Sequence, residues 1–342
     1  MKRTINHKRI INLFLFSFLL FSGCDKLNDT SKEPAPLPEI SQGPQIPQDK
    51  GYLVQELGSG LFWITNGVYQ SIFLTTGSGV IAVDAPPGIG ENYLKGIAEV
   101  TDEKVTHVIY SHPHADHISA AKMFPPDAIY IAHEETFRIL SEREKVERKY
   151  PFGYFSGGAP VPLPTVTFST DYVLEVGGQV LELSYRGLNH EPGNIFIYAP
   201  EQKVLMLVDV IDPGWIPFKS LAHADNTFGY IKAFDEVMSF DFDIFIGGHL
   251  NRPGTREDVE LHGEYMSDLE ESAAMAIGAV SFSNIGKEVG FANPYFLFDS
   301  YLDAVAEECV DLMLPKWTGK LGGADVFTFD NCSQMISSLR LE

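Results

Sequence analysis

Basic residues are scarce in this chain, with 25 lysines and arginines against 46 aspartates and glutamates, and the formal net charge is −21. So acidic a surface repels phosphate backbones, which argues against a nucleic-acid partner. The apolar share of 44% excludes an intrinsically disordered chain. A length of 342 residues allows one large domain or two ordinary ones.

Cysteine is also rare, since only Cys309 and Cys332 follow Cys24. These two could pair in an oxidising compartment. Alternatively, Cys309 is a buried thiol, because it falls on the apolar stripe of a predicted helix. The sequence leaves both possibilities open.

The apolar run near the N-terminus is too short for a comfortable membrane span. Residues 1–24 begin with basic residues, continue through that run and end in LLFSGC, a pattern typical of a secretory signal. The ending resembles the bacterial lipoprotein processing site, which would make Cys24 the lipidated first residue. Ordinary cleavage and an uncleaved anchor are the alternatives. We expect a periplasmic or cell-envelope lipoprotein of a bacterium, with membrane contact only through this anchor.

The remaining chain divides by composition and pattern. Residues 25–50 are rich in proline and polar residues and predict a flexible linker. Residues 51–280 alternate two sets of strands with helices, which predicts an α/β fold, an αββα sandwich of two mixed sheets flanked by helices. Residues 281–342 predict a C-terminal helical extension packed on that domain. Its main helix begins near Asn293 and is expected to stop before Pro315. The long helix before it is expected to open with a capping box at Thr255-Arg-Glu-Asp258.

The stretch THVIYSHPHADHIS places His112, His114, Asp116 and His117 within six positions, directly after an apolar strand. Imidazole and carboxylate groups bind metals such as zinc. Alternation in the extended part sends His112 and His114 to the same side. Asp116 and His117 lie where a helix begins and can serve a second position. Two pairs of ligands therefore suggest two metal ions.

Three further candidates each follow a strand-like run. His190 follows QVLELSY, Asp209 ends KVLMLVD, and His249 ends FDIFIGGH. An unpaired carboxylate at the end of so apolar a strand would be costly to bury, so Asp209 needs a partner. The two glycines before His249 allow a close approach of the backbone.

At these residues the chain resembles the metallo-β-lactamase superfamily, through SHPHADH, GLNHEPGN, VDVI and GGH in that order. The resemblance implies a first metal on His112, His114 and His190, and a second on Asp116, His117 and His249. It also implies that Asp209 bridges both metals. VIAVDAP resembles the strand that supplies an aspartate behind the ligands, which implies that Asp84 orients a ligand histidine.

The resemblance implies a hydrolase with two Zn²⁺ ions per chain, iron or manganese being less expected. Two ions sharing one water lower its pKa from about 15.7 towards about 7, which gives a bridging hydroxide. Asp116 would orient that nucleophile and shuttle its proton. The expected substrate is a small molecule with an ester, thioester, lactone or lactam bond. Two alternatives remain, a β-lactamase proper and an iron-dependent oxidoreductase resembling persulfide dioxygenases.

Substrate contacts are less defined by the sequence. β-Lactamases of the superfamily usually carry cysteine or serine at the bridging position, so Asp209 favours other hydrolases. A β-lactam carboxylate would need a basic partner, for which Lys219 and Arg252 are the nearest candidates. Trp215, Phe218 and Phe228 could line a pocket, and ordinary core or loop packing is an equal alternative for them. His223 is a further candidate to face the cleft, whereas His133 and His262 are interpreted as structural. The oligomeric state stays open.

Overall fold

The computed structural model describes residues 33–145, Gly153 and 160–341. The predicted signal of residues 1–24 and the lipidation site Cys24 lie outside these residues. Residues from Pro34 onward form one unit. Within the described residues, no helix has the length and apolar character needed to cross a membrane.

A seven-stranded mixed sheet forms the first half of the fold, with its strands in chain order. The first four strands pair antiparallel, and the fourth to seventh pair parallel. The strands are β1 (Leu53–Gly58), β2 (Leu61–Thr65), β3 (Gln70–Thr75), β4 (Val80–Val83), β5 (Val105–Ile109), β6 (Ile129–His133) and β7 (Val166–Phe168).

A five-stranded mixed sheet forms the second half, with the order β12-β11-β10-β9-β8. Only β11 and β12 pair parallel; the other neighbours are antiparallel. The strands are β8 (Asp171–Val176), β9 (Gln179–Ser184), β10 (Phe196–Ala199), β11 (Val204–Met206) and β12 (Ile244–Ile246).

Helices cover the outer faces of both sheets. Short 3-10 helices lie at Glu39–Ser41 and Ala121–Met123, and α4 is a short turn with left-handed backbone dihedrals inside it. The α-helices are α1 (Asn92–Val100), α2 (Ala115–Ile118), α3 (Glu134–Lys145), α4 (Lys219–His223), α5 (Thr227–Met238), α6 (Arg256–Ala279), α7 (Phe282–Val289), α8 (Pro294–Trp317) and α9 (Ala324–Leu341).

Three apolar clusters separate the layers. Trp63 and Ile72 of the first sheet pack with Ile197 and Met206 of the second, which forms the core between the sheets. A second cluster lies between the first sheet and its helices, and a third joins the second sheet to α5, α6, α8 and α9. The predicted αββα sandwich with a C-terminal helical region is confirmed.

Two predicted helix caps are confirmed, and one predicted helix end is wrong. Thr255 and Asp258 form a capping box at the start of α6, and Asn293 caps α8. The prediction that this helix stops before Pro315 is wrong, because α8 continues to Trp317. Pro315 removes one hydrogen bond from the last turn, and burial of Trp317 in the core holds that turn in place. Five elements were not predicted individually, namely β1, β7, α4, α7 and α9.

The two remaining cysteines form a disulfide within the C-terminal extension. Cys309 of α8 is bonded to Cys332 of α9, with the Cα atoms 6.1 Å apart. Both residues are fully buried, and both belong to the cluster that packs on the second sheet. The disulfide therefore links the last two helices covalently.

The structure differs from the predicted flexible linker of residues 25–50 around Ser41. The carbonyl oxygen of Ser41 accepts a 3.1 Å hydrogen bond from Nε1 of Trp215. The carbonyl oxygen of Ile40 accepts a 2.8 Å hydrogen bond from Nε of Arg252. These two side chains hydrogen-bond to backbone carbonyl groups that the proline-rich segment does not pair within a sheet. This part of the segment is consequently held on the body of the protein.

Candidate metal centre

The candidate ligands follow strands whose ends meet at one edge. Asp84 and His112 follow the adjacent parallel strands β4 and β5, and Asp209 and His249 follow the adjacent parallel strands β11 and β12. His190 lies in the loop between β9 and β10. Neighbouring parallel strands present their carboxyl ends at the same edge, so residues far apart in sequence can converge there.

Residues 112–117 form the histidine loop, which changes from extended backbone to helix within a few positions. His114 has extended dihedrals and precedes α2, in which Asp116 and His117 lie. This change of backbone direction separates the side chains of the loop into two pairs. His112 and His114 face one group of side chains, and Asp116 and His117 face another.

The first group consists of His112, His114, His190 and Asp209. Oδ2 of Asp209 lies 3.3 Å from Nε2 of His112 and 3.2 Å from Nε2 of His190. Nε2 of His190 lies 3.1 Å from Nδ1 of His114.

The second group consists of Asp116, His117 and His249. Nε2 of His117 and Nε2 of His249 are 3.0 Å apart, and Oδ2 of Asp116 lies 3.5 Å from each. Oδ1 of Asp209 lies 3.1 Å from Nε2 of His117 and 3.0 Å from Nε2 of His249. The two oxygens of Asp209 therefore face different groups.

The donor set and its spacing fit zinc. Two donors about 2.1 Å from one tetrahedral ion lie roughly 3.4 Å apart, and the observed contacts within the groups range from 3.0 to 4.0 Å. Imidazole and carboxylate donors are those that zinc accepts. Of the two groups, the first offers one ligand atom from each of four residues, and the second offers three. Each could hold one ion.

Charges within the groups compensate for their burial. Burial disfavours the charged form of Asp209, but charges on His117 and His249 outweigh it and hold its pKa well below the usual range. Burial likewise opposes ionisation of Asp116, but a hydrogen bond from His249 and the His117 charge lower its pKa. Burial lowers the pKa of His112 well below its usual value. The carboxylates are therefore ionised and His112 is neutral, which are the forms that bind a metal. Burial opposes protonation of His117 and His249, but the charge of Asp209 outweighs burial and raises the pKa values of both, so these two histidines would lose their protons when a metal binds.

Neighbouring residues orient the first group, and sequence reasoning missed two of them. Oγ of Ser111 lies 3.0 Å from Nδ1 of His112. Oε2 of Glu191 lies 3.4 Å from Nε2 of His114, the nitrogen that points away from the group. Ser111 precedes His112 and Glu191 follows His190, so their position next to a predicted ligand was the sequence signal that could have identified them.

Asp84 supports the histidine loop through its backbone. Its Oδ1 accepts a 2.7 Å hydrogen bond from the N–H of Ser111, directly before His112. Its Oδ2 has no hydrogen-bond partner among the described residues. Burial raises the pKa of Asp84 to about 6, and a charged His117 opposes that rise. The expected orientation of a ligand histidine by Asp84 stays a prediction.

His249 is held by a close backbone approach and by the β2–β3 hairpin. A Cβ on Gly247 would collide with the carbonyl oxygen of Ile211, so glycine is required there. Nε2 of Gln70 donates to the carbonyl oxygen of His249. The ring of Tyr69 lies 4.8 Å from that of His249, centroid to centroid. Burial and the Asp116 charge raise the pKa of Tyr69 to about 12, so its hydroxyl stays protonated at neutral pH.

A cavity of about 550 Å³ opens over both groups. Its polar lining includes His114, Asp116, His190, Asp209 and His249. The main apolar part of its lining, here called the apolar chamber, is formed by Trp215, Ile216, Phe218, Val326 and Phe327.

Other predicted residues have different environments. His223 lines the cavity, as do Trp215 and Phe218, whereas Phe228 is exposed and does not. Lys219 pairs with Asp330 at 3.2 Å, and Arg252 pairs with Asp258 at 2.6 Å. No lysine or arginine lines the cavity among residues 33–145, Gly153 and 160–341.

The two histidines interpreted as structural are buried outside both groups. Nε2 of His133 lies 3.0 Å from the carbonyl oxygen of Ser169. The ring of His262 packs against those of Phe234 and Tyr265, with centroid distances of 5.3 and 6.5 Å.

Comparisons with known proteins agree with this fold. The α subunit of 2,4-dinitroanisole O-demethylase from Nocardioides sp. (strain JS1661) is 26% identical over 287 residues, covering 80% of this chain and 82% of that protein. The human acyl-coenzyme A thioesterase MBLAC2 is 23% identical over 248 residues, covering 63% of this chain and 87% of that protein.

A solved structure described as a metallo-beta-lactamase from Pontibacter korlensis has the same fold. Its TM-score is 0.50 at 19% identity, and the match covers 63% of this chain and 99% of that one. The family model described as the metallo-beta-lactamase superfamily matches residues 64–249, from β2 to the last candidate ligand. The chain therefore belongs to the metallo-beta-lactamase superfamily and is an enzyme of that family.

Proposed function

We propose that this protein is a zinc-dependent hydrolase with a dinuclear metal site that cleaves an ester, thioester or lactone bond. The observation that carries the proposal is the position of Asp209. One of its oxygens faces His112 and His190, and the other faces His117 and His249. A single carboxylate shared in this way suits a bridge between two cations about 3.5–4 Å apart.

Zinc held by the two groups would supply hydroxide at neutral pH and polarise the electrophilic carbonyl. Asp116 lines the cavity with a partly exposed carboxylate, where it can hold a water and accept its proton. The water oxygen bonds to the carbonyl carbon, and the bond from that carbon to the leaving oxygen or sulfur breaks. Asp116 then returns the proton to the leaving group. A hydrogen bond between Asp116 and Tyr69 supports this position of the carboxylate.

The lining of the cavity disfavours a β-lactamase proper. A β-lactam carries a carboxylate, and burying an unpaired carboxylate is costly. Lys219 and Arg252 are both engaged in ion pairs elsewhere. We therefore place lactam bonds behind esters, thioesters and lactones.

An aryl ether is the second candidate substrate. The relative from Nocardioides is named for the O-demethylation of 2,4-dinitroanisole, and it matches 80% of this chain. Trp215, Phe218 and Phe327 give the cavity an aromatic lining that suits such a compound. An iron-dependent oxidoreductase remains the alternative on the same ligands, and metal analysis of the purified protein separates it from a zinc enzyme.

We further propose that the protein is exported and anchored to the cell envelope by a lipid on Cys24. The disulfide between Cys309 and Cys332 supports export, because disulfides persist in oxidising compartments. A small-molecule substrate remains the proposed partner, and the net charge of −21 argues against nucleic acid.

The test is a substrate screen of the mature protein loaded with zinc, iron or manganese. The panel contains p-nitrophenyl esters, acyl thioesters, acyl-homoserine lactones, nitrocefin, 2,4-dinitroanisole and glutathione persulfide. We expect hydrolysis of an uncharged ester, thioester or lactone by the zinc form, and its loss in Asp116→Ala. Turnover of nitrocefin alone, or of persulfides by the iron form alone, would contradict the proposal.

A further inference from the structure

The C-terminal extension contributes one wall of the cavity that contains the candidate metal centre. Val326 and Phe327 of α9 line the same cavity as His114 and Asp116 of the histidine loop. The rings of Phe327 and Phe218 meet edge to face, with their centroids 4.8 Å apart. The cavity is therefore closed by residues outside the range of 64–249 that the family model matches.

A strained turn brings Phe218 and Ala222 to that wall. Ser220, Leu221 and Ala222 have φ angles of 54°, in the left-handed region. The N–H of Asp225 donates a 2.8 Å hydrogen bond to the carbonyl oxygen of His190, which joins the far end of the turn to a candidate ligand. Strained backbone of this kind persists where the surrounding structure holds it and is concentrated at functional sites.

We propose that the apolar chamber selects substrates by binding an uncharged, apolar acyl group of the ester or thioester that the metal centre cleaves. This inference rests on the proposed hydrolase function and adds the substrate class. Trp215, Ile216 and Val326 provide apolar surface, and the cavity volume of about 550 Å³ lies in the range of small-molecule sites.

The chamber also excludes charged acyl groups. Among the described residues no lysine or arginine lines it. A free carboxylate on the acyl chain would therefore be buried there without a partner, which costs binding free energy. Substrates with a carboxylate on the acyl chain are consequently rejected.

The experiment measures kcat/KM of the zinc-loaded mature protein on p-nitrophenyl acetate, butyrate, hexanoate and octanoate. Each methylene buried in an apolar site adds roughly three- to fourfold to kcat/KM. Wild-type protein should follow this trend and should prefer p-nitrophenyl butyrate to the hemisuccinate by about tenfold or more.

Two variants test the chamber wall. Val326→Trp fills the chamber from a half-exposed helix position, and Phe327→Ala removes one side of it. Each should lower kcat/KM on the octanoate by about tenfold more than kcat/KM on the acetate. The matched controls are Val173→Trp and Phe329→Ala, exposed residues that do not line the cavity and should change neither.

Binding of octanamide to the metal-free protein, measured by calorimetry, separates this inference from the proposed function. If the wild-type protein binds octanamide, Val326→Trp abolishes that binding and no ester is hydrolysed, the proposed hydrolase function is wrong and the apolar chamber stands. Hydrolysis with no dependence on chain length, or equal effects in the variants and their controls, would overturn the chamber while the hydrolase stands.

Discussion

The N–H of Leu221 donates a 2.9 Å hydrogen bond to Oδ1 of Asn331. Nδ2 of the same Asn331 side chain donates a 3.0 Å hydrogen bond to the carbonyl oxygen of Pro217. Asn331 belongs to α9, and Leu221 lies in the left-handed turn beside the cavity. Non-glycine residues pay about 1–2 kcal/mol each in this conformation, so the C-terminal extension helps to stabilise the turn.

We predict that Asn331→Ala lowers the free energy of unfolding by about 2–4 kcal/mol. The buried N–H of Leu221 and the carbonyl of Pro217 would each lose a partner, at a cost of about 1–3 kcal/mol per group. Urea denaturation of the metal-free protein measures the change. Asn284→Ala, at an exposed position where Lys287 is the side-chain partner, is the control and should cost less than about 0.5 kcal/mol. Equal losses in both variants would contradict this role of Asn331.

The number of zinc ions that each variant binds should distinguish Asp209, which faces both groups, from Asp116, which belongs to the second group only. Asp116→Ala should remove about one of the two zinc ions and lower turnover at least about 100-fold, because only the second group contains it. Asp209→Ala should weaken both, since its two oxygens face different groups. Elemental analysis after dialysis against dilute zinc measures the stoichiometry, with the exposed Asp171→Ala as control. If Asp209→Ala still held two ions tightly, the bridge would be wrong.

Glu191 is expected to act on the metal through His114. Its Oε2 lies 3.4 Å from Nε2 of that histidine, so it fixes which ring nitrogen faces the group. Glu191→Gln should lower zinc affinity by about 10- to 100-fold. Competition with a chelator measures the affinity, and Glu201→Gln at an exposed position should match wild type. A circular dichroism spectrum unchanged from wild type would exclude misfolding as the cause.

The disulfide between Cys309 and Cys332 closes a segment with a sequence separation of 23. Loop-closure entropy for that length corresponds to about 3 kcal/mol of stability. The double variant Cys309→Ser/Cys332→Ser should lose about this amount in chemical denaturation. Reductant should destabilise the wild type to a similar extent and leave the double variant unchanged; a reductant effect on the double variant would point to another cause.

Stability should fall in acid partly through His262. Burial lowers its pKa to about 3, whereas the unfolded chain has an ordinary value of about 6.5. Between these values the unfolded state binds the additional proton, so the free energy of unfolding decreases as pH falls below about 6.5. At pH 5 the loss reaches about 2 kcal/mol. His262→Leu should therefore lose less free energy of unfolding than wild type between pH 7 and pH 5, as measured by chemical denaturation at each pH. An equal loss in both proteins over this range would show that His262 does not contribute.

Prediction from sequence succeeded where a local pattern carries the physics. Thr255 and Asn293 cap their helices because a side-chain oxygen accepts from a free N–H, an interaction within a few residues. Pro315 misled, because tertiary packing of the buried Trp317 carries the helix two residues past the proline, which a local pattern does not show. Phe218 and Phe228 illustrate the same limit, since both follow Asp209 and only Phe218 lines the cavity.

The sequence by itself determined the αββα fold, the family and the seven residues that converge at the candidate metal centre. Those properties follow from alternating strands and helices and from donors placed at strand ends, which are patterns written along the chain. Only the tertiary structure decided that Glu191 faces His114 and that Phe327 closes the cavity. These contacts join segments far apart in the chain, and their distances are set by packing of the two sheets and the C-terminal helices, which no local pattern encodes.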